Sequence, residues 1–395
     1  MPEKAELFES KNISTILNLL EVEYDAEIIH GKTLLFLDEI QAFPQLMHLL
    51  RYFYEEHGDL HVIAAGSLLD FELAEHEYSM PVGRIEYMFI GPMDFYEFLR
   101  AAGHSKLVKY LQSYELKEEL PLTFHTKLIK LLNSYYAVGG LPAAVKQFIN
   151  GKMLNAIREQ SQILQTYFDD FSKYRTKINL RCLQKAFKKA PHLIGQKIKY
   201  VNIDREEKSK DLSDALYMLQ LARVLHRVPH SSGNGIPLRA GVNSKVSKIL
   251  FLDVGLMLCS LGTKATSLHI DQERRLINTG AIAEQFIGQQ LYYSQESYLE
   301  PELHYWVREK RGSSSEVDYL ISKDYDIIPI EVKAGKTGTL KSLHNYVAEK
   351  NPRFAVRFNS ELPSVCTIGA DNNCKLLSLP LYLVFEATRL CKDNY

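Results

Sequence analysis

The sequence predicts an α/β protein of several domains: a parallel strand–helix–strand unit near the start, a helical middle, and a second α/β unit toward the end. Three observations lead to this. LLFL (34–37) and LHVIAAGS (60–67) are continuous apolar runs of the kind found in buried parallel strands, and the stretch between them has helical apolar spacing. From about 104 to 172 the apolar spacing is helical throughout, and EVDYLI (316–321) and IIPIEVK (327–333) are short strands separated by the turn KDYD. With 395 residues, 46% of them hydrophobic, the chain is long enough for about two to four domains with real cores.

HGKTLLFLDEIQ (30–41) raises the first question, because Gly-Lys-Thr is how a phosphate loop ends. Such a loop reads G-x-x-x-x-G-K-[ST] and opens a helix, so that successive backbone N–H groups converge on phosphate. Here Ala26 stands where the first glycine belongs and a strand follows Thr33, so Gly31 to Thr33 is expected to be a turn into that strand. A second GKT at 335–337 fails in the same way, with Ile330 in the first-glycine position. The strand itself delivers Asp38 and Glu39 at its carboxyl end, where open α/β sheets bind ligands. An aspartate there can hold Mg²⁺ and a glutamate can orient or deprotonate an attacking water.

FPQLMHLLRYFYEEH is expected to be a helix leading to the second strand, which ends at Ser67. SMPVGRIEYMFIGPMDFYEFL then places Arg84 before a third strand-like run, IEYMFI, which GPMD breaks before an aromatic helix. At this point the chain resembles the AAA+-type ATPases of archaea and bacteria that carry an uncharacterised C-terminal nuclease-like domain. The matching stretches are LLFLDEIQ, HVIAAGSLL, MPVGRIEYMFIGPMDFYEFL, YYAVGGLPAAV, ILFLDVGLM, GAIAEQFI, and EVDYLI followed by IPIEVKAG; they run from about 30 to 347. The resemblance implies that Asp38 and Glu39 are the Walker B pair, that Ser67 occupies the sensor position, and that Arg84 is a phosphate-sensing or trans-acting arginine. It also implies ATP and Mg²⁺ as cofactors, and rings in which a neighbouring copy completes the site. Family members place a first strand and phosphate loop upstream of the Walker B strand. Only 37 residues precede Asp38 here, with no glycine before Gly31. The expectation is a truncated AAA+-like parallel sheet over residues 1–103, from a fragment, a wrongly assigned start or a degenerate paralogue, that does not hydrolyse ATP by itself. The missing strand would lie between those ending near Ser67 and starting near Ile85. Its loss leaves buried backbone groups to be paired by closing up, or leaves the region incompletely folded.

Residues 104–172 read as amphipathic helices, like the helical lid that follows an AAA+ core, with GGLP (139–142) either a hinge near the nucleotide site or a plain connector. From Lys173 to Lys199 there are nine Lys or Arg and no Asp or Glu, a run that can neutralise phosphates if it folds onto one face; a solvated basic helix is the plainer alternative. SDALYMLQLARVLHRV, the polar loop HSSGNGIP, and short strands around PLRA and SKILFLDVG follow the helix-and-wing order of a winged helix, so 173–260 is expected to be winged-helix-like and to contact nucleic acid or dock a protein.

Residues 261–395 hold the second constellation. Glu331 and Lys333 are two apart, so both point to one side of their strand, and the turn KDYD lets the neighbouring strand bring Asp318 beside them. Two carboxylates can bind Mg²⁺ and polarise a phosphodiester, Lys333 can position the attacking water, and Glu284 in the helix-like GAIAEQFIGQQLYYS can complete the metal shell. This is the D…E-x-K pattern of restriction-endonuclease-like folds. His304, Trp306 and Arg308 read as packing and rim residues, and the lysine-bearing helix after Gly335 as a backbone-tracking or simply solvated surface.

The net charge of −1 gives no global field favouring nucleic acid. Cys182, Cys259, Cys366, Cys374 and Cys391 are scattered without a C-x-x-C pair, which argues against a zinc ribbon or a disulfide framework and suits a reducing cytoplasm. No apolar run reaches membrane-spanning length. Two function classes remain open: a nucleotide-dependent, nucleic-acid-processing enzyme, and a non-enzymatic nucleotide-sensing regulator or adaptor whose nuclease-like domain is a binding surface.

Overall fold

The computed structural model describes residues 6–10, 12–43, 45–66, 82–174, 178–262, 279–308, 315–335, 339–369 and 373–392. The chain divides into a first unit up to Met88, joined by Leu221–Arg223, and a second unit holding Phe89–Gln220 and Val224 onward. The first unit therefore stops short of residue 103, and the helices expected as a lid belong to the same unit as the C-terminal sheet.

In the first unit, helix α1 (Ile13–Tyr24) precedes strand β1 (Leu34–Leu37), helix α2 (Gln45–Glu56) and strand β2 (His61–Ala64). Asn12 starts α1 by accepting the Thr15 N–H. Strands β1 and β2 pair in parallel, with Phe36 opposite Ile63, which is the expected strand–helix–strand unit. Leu37, Ile40, Leu46, Phe53 and Leu60 join Ile13, Ile16 and Leu20 in one core. The strands are not buried on both faces, however: Leu34, Phe36 and Ile63 are 51, 51 and 46% exposed. The third strand is also absent, since Ile85 to Ile90 form no ladder and Met88 and Ile90 are 70 and 83% exposed. The physical reason lies in pairing: an extended run becomes a strand only when a neighbour takes its N–H and C=O groups, and among the described residues this sheet has two strands.

The second unit begins with helices α3 (Phe95–Ala101), α4 (Ser105–Ser113), α5 (Leu122–Val138), α6 (Pro142–Ile149) and α7 (Met153–Asp170), as the helical spacing predicts. Asp94 and Glu97 form a capping box at α3, and Pro142 opens α6. Next come α8 (Leu180–Lys189), the short α9 (Tyr200–Ile203) and α10 (Ser209–Leu221). Strand β3 (Leu225–Ser231) pairs antiparallel with β4 (Val242–Phe251), while PLRA falls in a 3₁₀ turn (Leu238–Gly241) instead of a strand. Helices α11 (Val254–Ser260) and α12 (Thr279–Tyr293) lead to β5 (His304–Val307), β6 (Glu316–Lys323) and β7 (Asp326–Val332). Helix α13 (Lys341–Lys350) crosses to β8 (Phe354–Asn359), followed by β9 (Ser364–Ile368), β10 (Cys374–Pro380) and α14 (Ala387–Lys392).

These strands make one eight-stranded sheet in the order β4-β3-β5-β6-β7-β8-β10-β9. Strands β3 and β4, expected as wings of a separate segment, are thus part of it, β4 at one edge and β3 next to it, tied in where His230 pairs with Tyr305. Lys323 pairs with Asp326 across Asp324 and Tyr325, the expected KDYD turn, and Asp324 takes the left-handed conformation that a tight hairpin needs. Val317, Tyr319, Ile330, Val356 and Leu377 are at most 1% exposed. Near-continuous burial along β7, β8 and β10, with helices against the sheet, explains why it is closed to water where β1 and β2 are not.

Candidate functional site

The first GKT is a turn, as expected. Gly31 has a φ of +73°, the Lys32 and Thr33 N–H groups both donate to the Ile29 carbonyl, and β1 starts at Leu34. In the second, Gly335 follows β7, and Lys336 and Thr337 lie outside the described residues. Asp38 and Glu39 follow β1 and are both exposed. The Ala65 N–H donates to the Leu37 carbonyl and the Ile40 N–H to the Ala65 carbonyl, so the ladder continues past the strand ends and holds the acidic pair beside residues 65 and 66. Glu39 is left-handed (φ 54°, ψ 46°), a conformation that costs a non-glycine residue about 1–2 kcal/mol. Its carboxylate accepts from the Gln41 amide, and its N–H donates to Asp38 Oδ1 at 3.1 Å. Ser67 lies outside the described residues. Arg84 is tied down: its Nη2 lies 3.0 Å from Glu55 Oε1, and its Nη1 donates to the Val82 carbonyl at 2.9 Å.

GGLP is a packed junction between α5 and α6. The Gly140 N–H donates to Asp253 Oδ2 at 2.7 Å, the Met93 N–H donates to the Gly140 carbonyl at 2.8 Å, and a Cβ on Gly140 would lie 2.0 Å from the Met93 carbonyl oxygen. Asp253 also caps α11 through Leu256 N–H and accepts from Gln289; burial holds its carboxyl above the usual range, against those hydrogen bonds.

The second constellation assembles on the larger sheet. Asp318 on β6 and Glu331 on β7 stand one step beyond the paired Tyr319 and Ile330, and the Val332 N–H donates to Asp318 Oδ2 at 2.8 Å. Lys333 Nζ is 2.5 Å from Glu331 Oε1. Glu284 comes in from α12, whose position is held by the Tyr319 hydroxyl donating to the Glu284 carbonyl at 2.9 Å. Two further residues belong to the group and were not singled out from sequence. Lys248 on β4 has a side chain 2% exposed, with Nζ 2.6 Å from Glu316 Oε1, 2.8 Å from Glu284 Oε1 and 3.5 Å from Asp318 Oδ1. Glu316 also receives Lys197 at 3.2 Å. A lysine opening the buried run KILFL, and a glutamate two residues before Asp318 on the same side of β6, are the signals that point to them, because a charge on a buried strand requires a partner.

Burial raises the Glu284 carboxyl to about 7, with Lys248 pulling it down and Asp318 pushing it up. Burial and then Asp318 raise Glu331 to about 7 against the pull of Lys333. Burial disfavours the Lys248 ammonium, but Glu284, Asp318 and Glu316 together outweigh it and hold its pKa well above the usual value. Glu331 is 4% exposed and its Oε2 has no hydrogen-bond partner. Among the described residues no three His, Cys, Asp or Glu side chains stand arranged as a metal shell; Glu284, Glu316 and Asp318 are drawn onto the lysine instead. The donors are all carboxylate oxygens, the chemistry that suits Mg²⁺ or Mn²⁺, and an orphaned buried carboxylate oxygen is the atom such an ion would satisfy.

The outer residues behave as packing and rim. His304 and Trp306 are buried, Trp306 edge-on to Tyr346 at 5.1 Å, and Arg308 pairs with Glu349. In the basic segment Lys185 pairs with Asp204 (2.7 Å) and Glu207 (2.8 Å), Arg181 with Glu207 (3.2 Å), and Lys188 sits over Phe168. Three of the nine basic residues there, Arg181, Lys185 and Lys197, are therefore matched by acids within the chain. All five cysteines are free. No helix among the described residues is long and apolar enough to cross a membrane.

Three family models match separate segments. Residues 3–99 are similar to an AAA domain, residues 129–267 to a domain of unknown function (DUF8612), and residues 279–369 to another (DUF4143). No curated protein and no solved structure matches the chain. The first match supports an AAA-type ATPase family, a nucleotide-binding class, for the N-terminal segment. Lys248 lies in the second matched segment and Glu284, Glu316, Asp318, Glu331 and Lys333 in the third.

Proposed function

We propose that the chain is a nucleotide-binding AAA-type protein coupled to a divalent-cation site on its C-terminal sheet that acts on nucleic-acid phosphodiesters. In this reading Asp318 and Glu331 hold Mg²⁺ and Glu284 completes the shell. The single observation that carries the reading is the convergence of Asp318, Glu331 and Lys333 on adjacent strands with Glu331 Oε2 buried and unpartnered. A bound divalent ion would supply Lewis-acid polarisation of a phosphoryl oxygen. The chain's own residues do the rest. The Val332 N–H fixes the orientation of Asp318, and Glu331 holds the Lys333 ammonium on the same side of β7, where it can orient a water or offset charge developing on phosphate. Asp38 and Glu39 are the corresponding acids of the ATP site. Neither GKT matches the phosphate-loop sequence, with Ala26 and Ile330 in the first-glycine positions, so these residues alone are not expected to hydrolyse ATP.

The test is cleavage of single- and double-stranded DNA and of RNA by the intact chain with Mg²⁺ or Mn²⁺, beside Asp318→Asn and Lys333→Met. Cleavage lost in both variants supports the reading. Nucleic-acid binding that persists in both variants, without cleavage by any form, favours the second reading, a regulator or adaptor. One observation favours that alternative: the Lys248 ammonium already pairs with three of the carboxylates, as in a structural ion cluster.

A further inference from the structure

We propose that Lys248 is the tethered cation of the C-terminal site: its ammonium engages Glu284 and Asp318, two of the three carboxylates that would hold a divalent ion, together with Glu316, and so sets the site's affinity for metal. The inference rests on the metal-site reading above, and deepens it by naming a residue that neither the E-x-K pattern nor the helix glutamate includes.

Four features carry it. First, one nitrogen is approached by three carboxylates from two elements, Glu284 of α12 and Glu316 and Asp318 of β6, at 2.8, 2.6 and 3.5 Å. Oxygens converging on one point at such distances need to move by about 0.5–1.5 Å to reach Mg²⁺ or Mn²⁺ coordination distances. Second, the carboxylates are not free to turn elsewhere. Asp318 has its other oxygen on the Val332 N–H, and α12 is pinned by the Tyr319 hydroxyl. Gly195, left-handed at φ +77°, leaves room for the Glu284 carboxylate, which would lie 2.8 Å from a Cβ there. Third, Glu331 Oε2 is buried without a partner, an acceptor that Lys248 does not satisfy and that a divalent ion held by Asp318 and Glu331 would. Fourth, Lys248 comes from β4, in a different matched segment from the carboxylates, and reaches them because β4 and β3 close the same sheet. Loss of the Lys248 ammonium leaves the four carboxylates, Glu284, Glu316, Asp318 and Glu331, with one positive charge fewer set against them. A divalent ion and the Lys248 ammonium therefore compete for the same negative field.

The experiment uses the intact chain, titrated with Mn²⁺ by calorimetry at pH 8 as wild type, Lys248→Met and Lys248→Arg, with circular dichroism to confirm folding. Methionine keeps the length and apolar stem of lysine without its charge. The expected result is Mn²⁺ binding at least about tenfold tighter in Lys248→Met, and near wild-type affinity in Lys248→Arg. Unchanged or weaker binding in a folded Lys248→Met overturns the inference while leaving the metal-site reading intact. Binding in Lys248→Met with none in the wild type upholds the tethered cation and overturns the metal reading for the natural chain. Absence of binding in both overturns the two together. Where Lys248→Met unfolds without metal, Mn²⁺ raising its Tm by more than it raises the wild type's supports the inference, and no such difference overturns it.

Discussion

Strands β1 and β2 leave Leu34, Phe36 and Ile63 about half exposed, whereas the strands carrying Asp318 and Glu331 bury Val317, Tyr319 and Ile330 to 1% or less. Both sheets end in acidic residues suited to Mg²⁺, yet the surroundings of those acids differ. Asp38 and Glu39 stand exposed at the rim of a two-stranded ladder, Glu39 in a left-handed conformation. Asp318, Glu284 and Glu331 are buttressed by backbone N–H, a tyrosine hydroxyl and two lysines inside an eight-stranded sheet. An acidic motif becomes a preorganised site through what is packed behind it, and here the C-terminal acids have that support while the N-terminal pair stands on a ladder that is two strands wide among the described residues.

The contrast can be broken or sharpened at several points. The largest effect is expected from Gly140→Ala, whose Cβ would meet the Met93 carbonyl at 2.0 Å: chemical denaturation should show the second unit destabilised by about 3 kcal/mol or more, with the first unit's transition unmoved. Next, Leu377→Ala in the fully buried centre of the larger sheet should cost about 2–5 kcal/mol, and Phe36→Ala on the exposed face of β1 less than about 1 kcal/mol. Equal costs would erase the distinction between the sheets.

A smaller effect depends on pH. Glu284 and Glu331 titrate near 7 in the folded chain against an ordinary value of 4.5, so between those limits the folded state keeps protons that the unfolded state has released. Their contribution to stability is therefore greatest at low pH, falls as pH rises from about 4.5 to about 7, and levels off above. Glu331→Gln should remove its share of this slope, on the order of 1–3 kcal/mol between pH 5 and pH 8, read as a smaller difference in Tm between the two pH values than in the wild type. The smallest effect is expected from Arg84→Ala, which removes a half-exposed ion pair with Glu55 and should barely move Tm.

Much of this was legible in the residues because it is local. The strand–helix–strand unit around LLFL, the helices between 104 and 172, the KDYD hairpin and the pairing of Glu331 with Lys333 all follow from periodicity or spacing within a few residues. What escaped is non-local. IEYMFI has the composition of a strand, but no described strand pairs with it, and composition cannot report a missing neighbour. Strands β3 and β4 look like wings until the long-range pairing of His230 with Tyr305 puts them in the C-terminal sheet. Lys248 escaped for the same reason, since the carboxylates it serves lie 36 to 70 residues away. The fragment starting at 261 that the spacing alone would suggest for metal studies lacks that lysine and two strands of the sheet, so the intact chain is the right material.

The measurement that bears most directly on the account is Mn²⁺ binding to the intact chain by electron paramagnetic resonance, with Glu331→Gln, Asp318→Asn and the double change Asp38→Asn, Glu39→Gln. The account predicts a bound Mn²⁺ that is lost in Glu331→Gln and in Asp318→Asn and kept in the double variant. Binding that survives both C-terminal changes, or that disappears only when Asp38 and Glu39 are altered, would contradict it.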